Sequence, residues 1–225
     1  MSRRLYELAG ADAARRFSPY AWRSRRALVH KGLAFDTEPV RFTEKEKIAF
    51  SGQKRVPVLV DGARVVPDSW AIARHLDDTY ADRPPLMEGV QARALTFTLA
   101  QWVQRVVHPA LLPVILMDIF AVISDEDRNY FRQSRERAFG RPLEAVHRGE
   151  AGLPAFRESL APARATLESQ PFLAGETPAY ADHVLAGAID WGCNVTSLTL
   201  LAADDPVRHW YDRLPEAAPS RAADG

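Results

Sequence analysis

The amino-acid sequence predicts an α/β domain followed by an all-helical one. Two strand-like segments, Arg4 to Leu8 and Phe35 to Val40, flank a well-signalled helix and together make a βαβ unit. Two β-branched runs, Val58 to Val60 and Arg64 to Val66, meet at Asp61-Gly62, a pair that favours the positive φ angles of a tight hairpin turn. Beyond a Pro- and Gly-bearing stretch at residues 81–89, every periodic segment is helical and no strand pattern intervenes.

In the first strand Leu5 and Tyr6 are the anchors, and a loop from Ala9 to Phe17 follows. Ser18-Pro19 supplies an N-cap and a proline at the first helical position, and Gly32 closes the helix after Lys31. Ala21, Ser24, Ala27 and Leu28 form its predicted inner face. Arg23, Arg25, Arg26, His30 and Lys31 give it a basic remainder whose charges near the C-terminus suit the macrodipole. Phe35 to Val40 then runs parallel to the first strand, and Thr43 to Phe50 reads as a short polar helix or loop. Pro57 opens the hairpin, where its missing N–H spoils the ladder least and a cis bond is accommodated. Asp68-Ser69 precedes Ile72, Ala73, Leu76 and Tyr80, which recur at helical spacing, so the two polar residues sit at a helix start. Strand, helix, strand, short helix, strand, strand, helix is the thioredoxin-like order.

These elements fill residues 1–80. Residues 81–90 form the linker, 91–214 the helical domain and 215–225 a flexible tail. Predicted helices run over Gln91 to Val107, Pro109 to Ile123, Asp125 to Arg137, Gly152 to Ser169, Asp182 to Ser197 and Pro206 to Leu214. The apolar stretch Val106 to Ile123 is interrupted by His108, Pro109, Pro113 and Asp118, short of the ~20 uninterrupted residues of a membrane span. It reads as a buried helix kinked or broken near Pro113.

With 225 residues the chain is long enough for a full core, and 29 Lys plus Arg balance 29 Asp plus Glu. That balance argues against nucleic acid or an anionic membrane as partner. The single cysteine, Cys193, excludes a disulfide framework and reads as a buried small hydrophobe. The N-terminus shows no apolar signal region, so the expected location is cytoplasmic. His30, His75, His147, His183 and His209 have no spacing that suggests a metal.

Ser18 carries the clearest chemical possibility. At a helix start, backbone N–H groups and the positive dipole end favour a nearby anion. A thiol bound there is pushed towards thiolate. Free thiols titrate near ~8.5, each unit of depression is ~1.4 kcal/mol, and about two units make the thiolate dominant at neutral pH. Pro19 also explains Ser18 as an N-cap alone, and both readings stand at this point.

Ser18-Pro19-Tyr20-Ala21-Trp22-Arg23, followed by Ala27-Leu28-Val29-His30-Lys31-Gly32, resembles a run of the bacterial β-etherase glutathione transferases, which cleave aryl ethers of lignin-derived compounds. Asp68-Ser69-Trp70-Ala71-Ile72-Ala73, Asp82-Arg83-Pro84 with Glu88-Gly89, Asp127-Arg128-Asn129-Tyr130 and Ser134-Arg135-Glu136 extend the resemblance across both domains. It implies the glutathione transferase fold, with glutathione as co-substrate and a hydrophobic aromatic electrophile as substrate. It also implies that Ser18 faces the glutathione sulfur, that Val56 and Pro57 pair with the cysteinyl part, and that Asp68 and Ser69 hold the γ-glutamyl end. Arg41 or Arg55, beside Lys45 and Lys47, would meet the glycyl carboxylate. Phe17, Tyr20, Trp102, His108, Leu112 and Phe120 either line an apolar substrate site or belong to the core. No metal is implied.

A homodimer is the implied assembly, and in the chain itself only the mixed-charge face of Arg74, Asp77 and Asp78 speaks for it. The Ser-x-x-x-Trp-Arg spacing is also similar to the zeta-type maleylacetoacetate isomerases, and a non-catalytic interaction module has the same shape. One departure stands out: transferases carry Ser or Thr three residues before the aspartate that opens a buried helix. Here Ala179 precedes Asp182, which should weaken that cap by ~1 kcal/mol.

Overall fold

The computed structural model describes residues 2–217. β1 (Arg3–Leu8) pairs parallel with β2 (Asp36–Val40) and antiparallel with β3 (Val58–Asp61), which in turn pairs with β4 (Arg64–Pro67), giving the order β2-β1-β3-β4. Gly62 turns the hairpin at φ 59°, as the Asp-Gly pair requires, and the Val56–Pro57 bond is cis. α1 (Pro19–His30) makes the crossover, a 3₁₀ turn spans Lys45–Ser51, and α2 (Ser69–Thr79) follows the hairpin. The first half is thus a thioredoxin-like sheet with helices.

The second half is helical: α3 (Gly89–Trp102), α4 (His108–Val122), α5 (Asp125–Phe139), α6 (Leu143–Val146), α7 (Leu153–Glu158), α8 (Ala161–Leu167), α9 (Tyr180–Cys193) and α10 (Pro206–Asp212). Leu5, Leu28, Leu59 and Ile72 of the sheet half join Val103, Leu111, Leu185 and Ile189 in one continuous core. Asp127, fully buried on α5, accepts the N–H groups of Phe42 (3.2 Å) and Thr43 (2.9 Å) and the Thr43 hydroxyl (2.8 Å), so the helical half grips the loop after β2.

Several expectations change. α1 has no solvated basic face, because the sheet covers one side and α9 the other. Gly187 of α9 lies so near α1 that a Cβ there would sit 2.7 Å from the Pro19 carbonyl oxygen. Three of the cations of α1 find an acid: Arg25 pairs with Glu7, Arg26 with Asp190 (Nε–Oδ2 2.6 Å), and Lys31 with Asp77 (2.7 Å). Asp77 also accepts the Leu86 and Met87 N–H groups, so it is no part of an outer charged face.

Pro113 does not break its helix. A single helix runs over Gly89–Val122, 34 residues, and its irregularity is a π turn at Val103–Val107. Pro109 explains the place: its ring would clash with the carbonyl four residues earlier, and the wider turn relieves it. By length and composition alone this helix is apolar enough to cross a bilayer, contrary to the expectation from its interruptions. Here Val103, Val107, Leu111, Val114 and Ile115 pack one face of it into the core.

The helix expected over 152–169 is split into α7 and α8, since Pro162 cannot donate and starts a new helix. α9 begins at Tyr180 despite Ala179. The buried Asp182 carboxylate accepts the N–H groups of Ala179 (3.0 Å), Leu173 (2.7 Å) and Ala174 (3.2 Å) and the indole N–H of Trp210 (2.8 Å), replacing the missing serine bond. Cys193, at the end of α9, is exposed rather than buried. The tail is docked at its start: the Pro215 carbonyl accepts from Arg26 (3.1 Å) and Ala217 is buried, while 218–225 lie outside the described residues.

Candidate functional site

Ser18 begins α1 with φ −83° and ψ 122°, and its Oγ accepts the Ala21 N–H at 3.3 Å. The cap role is therefore present, and it uses only the oxygen's lone pair, so the hydroxyl proton is left for another acceptor. One turn further along α1, Arg23 reaches the second helix start. Its Nε and Nη2 donate to the Ser69 Oγ at 2.8 and 2.5 Å. The Asp68 N–H donates to the Pro57 carbonyl (3.2 Å), and the Tyr180 hydroxyl donates to the Ser69 carbonyl (2.8 Å). Pro57, Asp68, Ser69 and the helix of Ser18 are thus joined by direct bonds.

Two features of this junction point to a ligand. Asp68 has φ 71° and ψ 133°, a conformation L residues rarely adopt, and such strain costs on the order of 1–3 kcal/mol. Its carboxylate is spent on the Trp70 and Ala71 N–H groups (2.8 and 3.1 Å), which caps α2. Arg23 is 5% exposed, stacks over the Tyr20 ring at 4.8 Å, and has no carboxylate partner among the described residues. A buried guanidinium with no ion-pair partner among the described residues, placed at a helix start, suits an anionic group. The sequence placed Arg23 only in the basic remainder of α1 and gave it no ligand role. The Ser69 contact, 46 residues away, has no local signature.

The cations expected at the glycyl end differ from one another. Arg41 is paired at the surface with Glu44 (3.2 Å) and Glu126 (3.8 Å), and Lys47 with Glu44 (3.1 Å). Lys45 donates to the Tyr130 hydroxyl (3.1 Å). Arg55 is exposed and forms no ion pair among the described residues.

The six expected substrate-pocket residues separate. Tyr20 stacks edge-on against His108 (centroids 5.4 Å), which stacks on Trp191 (5.6 Å). Phe17 is 1% exposed and packs on Phe42 (6.0 Å), so it is core rather than lining, as its inward direction beside the cap dictates. Phe120 packs on Phe131 (6.4 Å), and the Arg132 guanidinium lies 4.9 Å from its ring centre. Trp102 and Leu112 are partly buried against the main core. Burial raises the Tyr20 pKa, keeping the phenol neutral, and burial aided by Arg23 lowers His108 to about 3, which leaves it an uncharged wall and not a proton donor. Two cavities, of ≈ 470 and ≈ 390 Å³, lie away from Ser18.

A cis-proline loop, a serine-capped helix and an anion-ready second helix start, on a thioredoxin-like sheet joined to a helical domain, define a thiol-peptide-binding class of protein. The glutathione S-transferase N-terminal domain family matches residues 17–79 and the glutathione S-transferase C-terminal domain family matches 94–199. The chain belongs to the glutathione S-transferase family, whose co-substrate is glutathione. It is 32% identical over 142 residues to a glutathione S-transferase-like protein of Aspergillus flavus (55% of this chain, 49% of the relative). It is 30% identical over 141 residues to a zeta-class glutathione S-transferase of Euphorbia esula (60% of this chain, 62% of the relative). The matched region therefore spans about half to three-fifths of those relatives. A glutathione transferase of Phanerochaete chrysosporium shares the fold with TM-score 0.85 at 24% identity, covering 95% of this chain and 96% of that one.

Proposed function

We propose that the chain is a glutathione transferase that binds reduced glutathione with its γ-glutamyl carboxylate at Arg23, Ser69 and the start of α2, and its cysteinyl backbone at Val56-Pro57. The sulfur then lies at Ser18. The thiolate attacks an electrophilic carbon of a hydrophobic aromatic substrate. In a β-aryl ether a C–S bond forms, the C–O bond breaks, and the phenolate leaves and takes up the proton released by the thiol. The observation that carries this reading is Arg23, a buried cation with no ion-pair partner among the described residues, bonded to the serine of the acid-serine pair. Immobilised glutathione should retain the wild type and not an Asp68→Ala, Ser69→Ala double mutant. No retention of the wild type at millimolar ligand would end the proposal.

The zeta-class relative supports a second reaction, glutathione-dependent cis–trans isomerisation of a maleyl compound. Turnover of β-aryl ethers, chlorinated aromatics and maleyl compounds with and without glutathione separates the two. Binding with no turnover of any of them favours a non-catalytic module.

The two roles of Ser18 separate by substitution. Glycine is a tolerable cap without a hydroxyl, whereas alanine loses ~1 kcal/mol of capping. If the hydroxyl donates to sulfur, both variants raise the pKa of bound glutathione by roughly one to two units, since a hydrogen bond to a charged group is worth ~1.5–3 kcal/mol. Thiolate absorbance against pH reads this directly, and equal values in all three proteins would leave Ser18 only its cap.

A homodimer belongs to the same proposal. Its support is no longer the charged face of α2 but the exposed apolar Val90, Leu95 and Phe97 of α3, with Phe97 edge-on to Trp70 of α2 (5.0 Å). Sedimentation should give about twice the 25.1 kDa chain mass, and a single-chain mass at all concentrations would exclude the pair.

A further inference from the structure

The turn that starts α2 is held from both halves of the molecule. Asp68 keeps a φ of 71°, and so rare a conformation persists only where the surroundings over-determine it. From the sheet half, the Pro57 carbonyl accepts the Asp68 N–H (3.2 Å), and the Asp68 carboxylate accepts the Trp70 N–H (2.8 Å). From the helical half, Tyr180 in the first turn of α9 donates its hydroxyl to the Ser69 carbonyl (2.8 Å), a bond across 111 residues of chain. The Ser69 carbonyl and the Trp70 N–H belong to one peptide plane. Tyr180 thus fixes the oxygen end of the plane whose N–H end Asp68 holds, and bonds in series through one peptide strengthen each other.

Tyr180 is itself anchored. It is 0% exposed, its N–H donates to the Leu86 carbonyl of the linker (3.0 Å), and its ring packs beside Trp70 (centroids 5.8 Å). Burial pushes its phenol up to about 12, so the hydroxyl stays a donor at neutral pH. A buried tyrosine hydroxyl must find some partner, and this one takes the backbone of the binding turn. What the bond reaches is Arg23. Ser69 Oγ accepts from its Nε and Nη2, and Nη1, unpartnered among the described residues and not enclosed, is left to meet a carboxylate. Arg23 acts on the Ser69 side chain from α1, and Tyr180 acts on the Ser69 backbone from α9.

We propose, on the basis of the glutathione pose above, that Tyr180 is a positioning residue: it holds Ser69, and through Ser69 the Arg23 guanidinium, in the orientation that receives the γ-glutamyl carboxylate. The helical domain then sets the affinity of a site built on the sheet domain, without touching the ligand there. Tyr180→Phe removes one oxygen and leaves the Ser69 carbonyl its helical donor four residues on. Calorimetry at pH 7.5 should show this variant binding glutathione at least about threefold more weakly than wild type, as one neutral hydrogen bond allows. The pKa of the bound thiol, read from thiolate absorbance, should keep the wild-type value, since the sulfur lies at the other helix start. In an Arg23→Met background the same change should cost less than about threefold, because the guanidinium it orients is gone. A smaller loss in the wild-type background, a loss of threefold or more also in the Arg23→Met background, or a thiol pKa raised along with the loss would each overturn the proposal. Should Tyr180→Phe not fold, the ring ¹³Cζ signal of Tyr180 decides: saturating glutathione should shift it in wild type and not in Arg23→Met, and the same response in both proteins would overturn the proposal. Wild type that fails to bind glutathione ends the pose itself, whereas binding indifferent to Tyr180→Phe removes Tyr180 alone.

Discussion

Arg23→Met is expected to weaken glutathione binding ten- to a hundredfold without lowering the stability of the unliganded protein. A hydrogen bond to a charged group contributes ~1.5–3 kcal/mol, and every ~1.4 kcal/mol is tenfold in affinity. The unliganded protein should not suffer, because Arg23 holds a buried charge with no ion-pair partner among the described residues, and an apolar side chain of similar length relieves that desolvation. Arg23→Lys keeps the charge and loses the two-pronged contact to Ser69, so it should fall between the two. Titration calorimetry gives the affinities and thermal unfolding of the unliganded proteins gives the stabilities. Affinity within twofold of wild type, or a fall of unfolding temperature parallel to the fall in affinity, would make Arg23 a structural residue and remove the observation on which the glutathione pose rests.

What could be read from the chain was local. Ser18-Pro19 with Gly32, and Asp61-Gly62 between two β-branched runs, determine their backbone angles from a few neighbours, and the helix and hairpin lie where those residues put them. Arg23, Arg25 and Arg26 show the opposite case. Their spacing is that of an ordinary solvated helix face, and what buries them is Ser69, Glu7 and Asp190, 46, 18 and 164 residues away. Asp182 is intermediate: its place before an apolar run marks a helix start, but the Leu173, Ala174 and Trp210 donors that make up for Ala179 come from elsewhere in the fold. For His183 a buried position follows from the apolar run of α9, whereas no local pattern foretells that neither ring nitrogen has a hydrogen-bond partner among the described residues.

Acid should unfold this protein from a higher pH than its carboxylates require. Burial lowers the pKa of His183, with His30 and Arg26 adding to the effect, and burial with Arg23 lowers His108 to about 3. Above about pH 6.5 these imidazoles are neutral in both the folded and the unfolded chain, and their contribution to stability is intact. Below it the unfolded chain takes up protons that the folded chain refuses, so stability falls as pH falls, by up to about 1.4 kcal/mol per pH unit for each histidine, down to the folded pKa. Two such residues give a slope near 3 kcal/mol per unit, against a total stability of about 5–15 kcal/mol for an ordinary domain. The carboxylates act later. Burial pushes the Asp61 carboxyl up, but the Tyr80 and His75 hydrogen bonds and Arg3 outweigh it and hold the group below its usual range, so its loss is confined to pH below about 4. Asp182, raised by burial, opposes the trend. Urea unfolding at pH 7.5, 6.5, 5.5 and 4.5 reads the slope, and His183→Phe and His108→Phe should each remove a share of it, with His30, whose pKa burial also lowers, carrying the rest. A stability that stays level between pH 7.5 and 5 would mean that the folded protein admits these protons, and that neither His108 beside Tyr20 nor the buried His183 is held neutral.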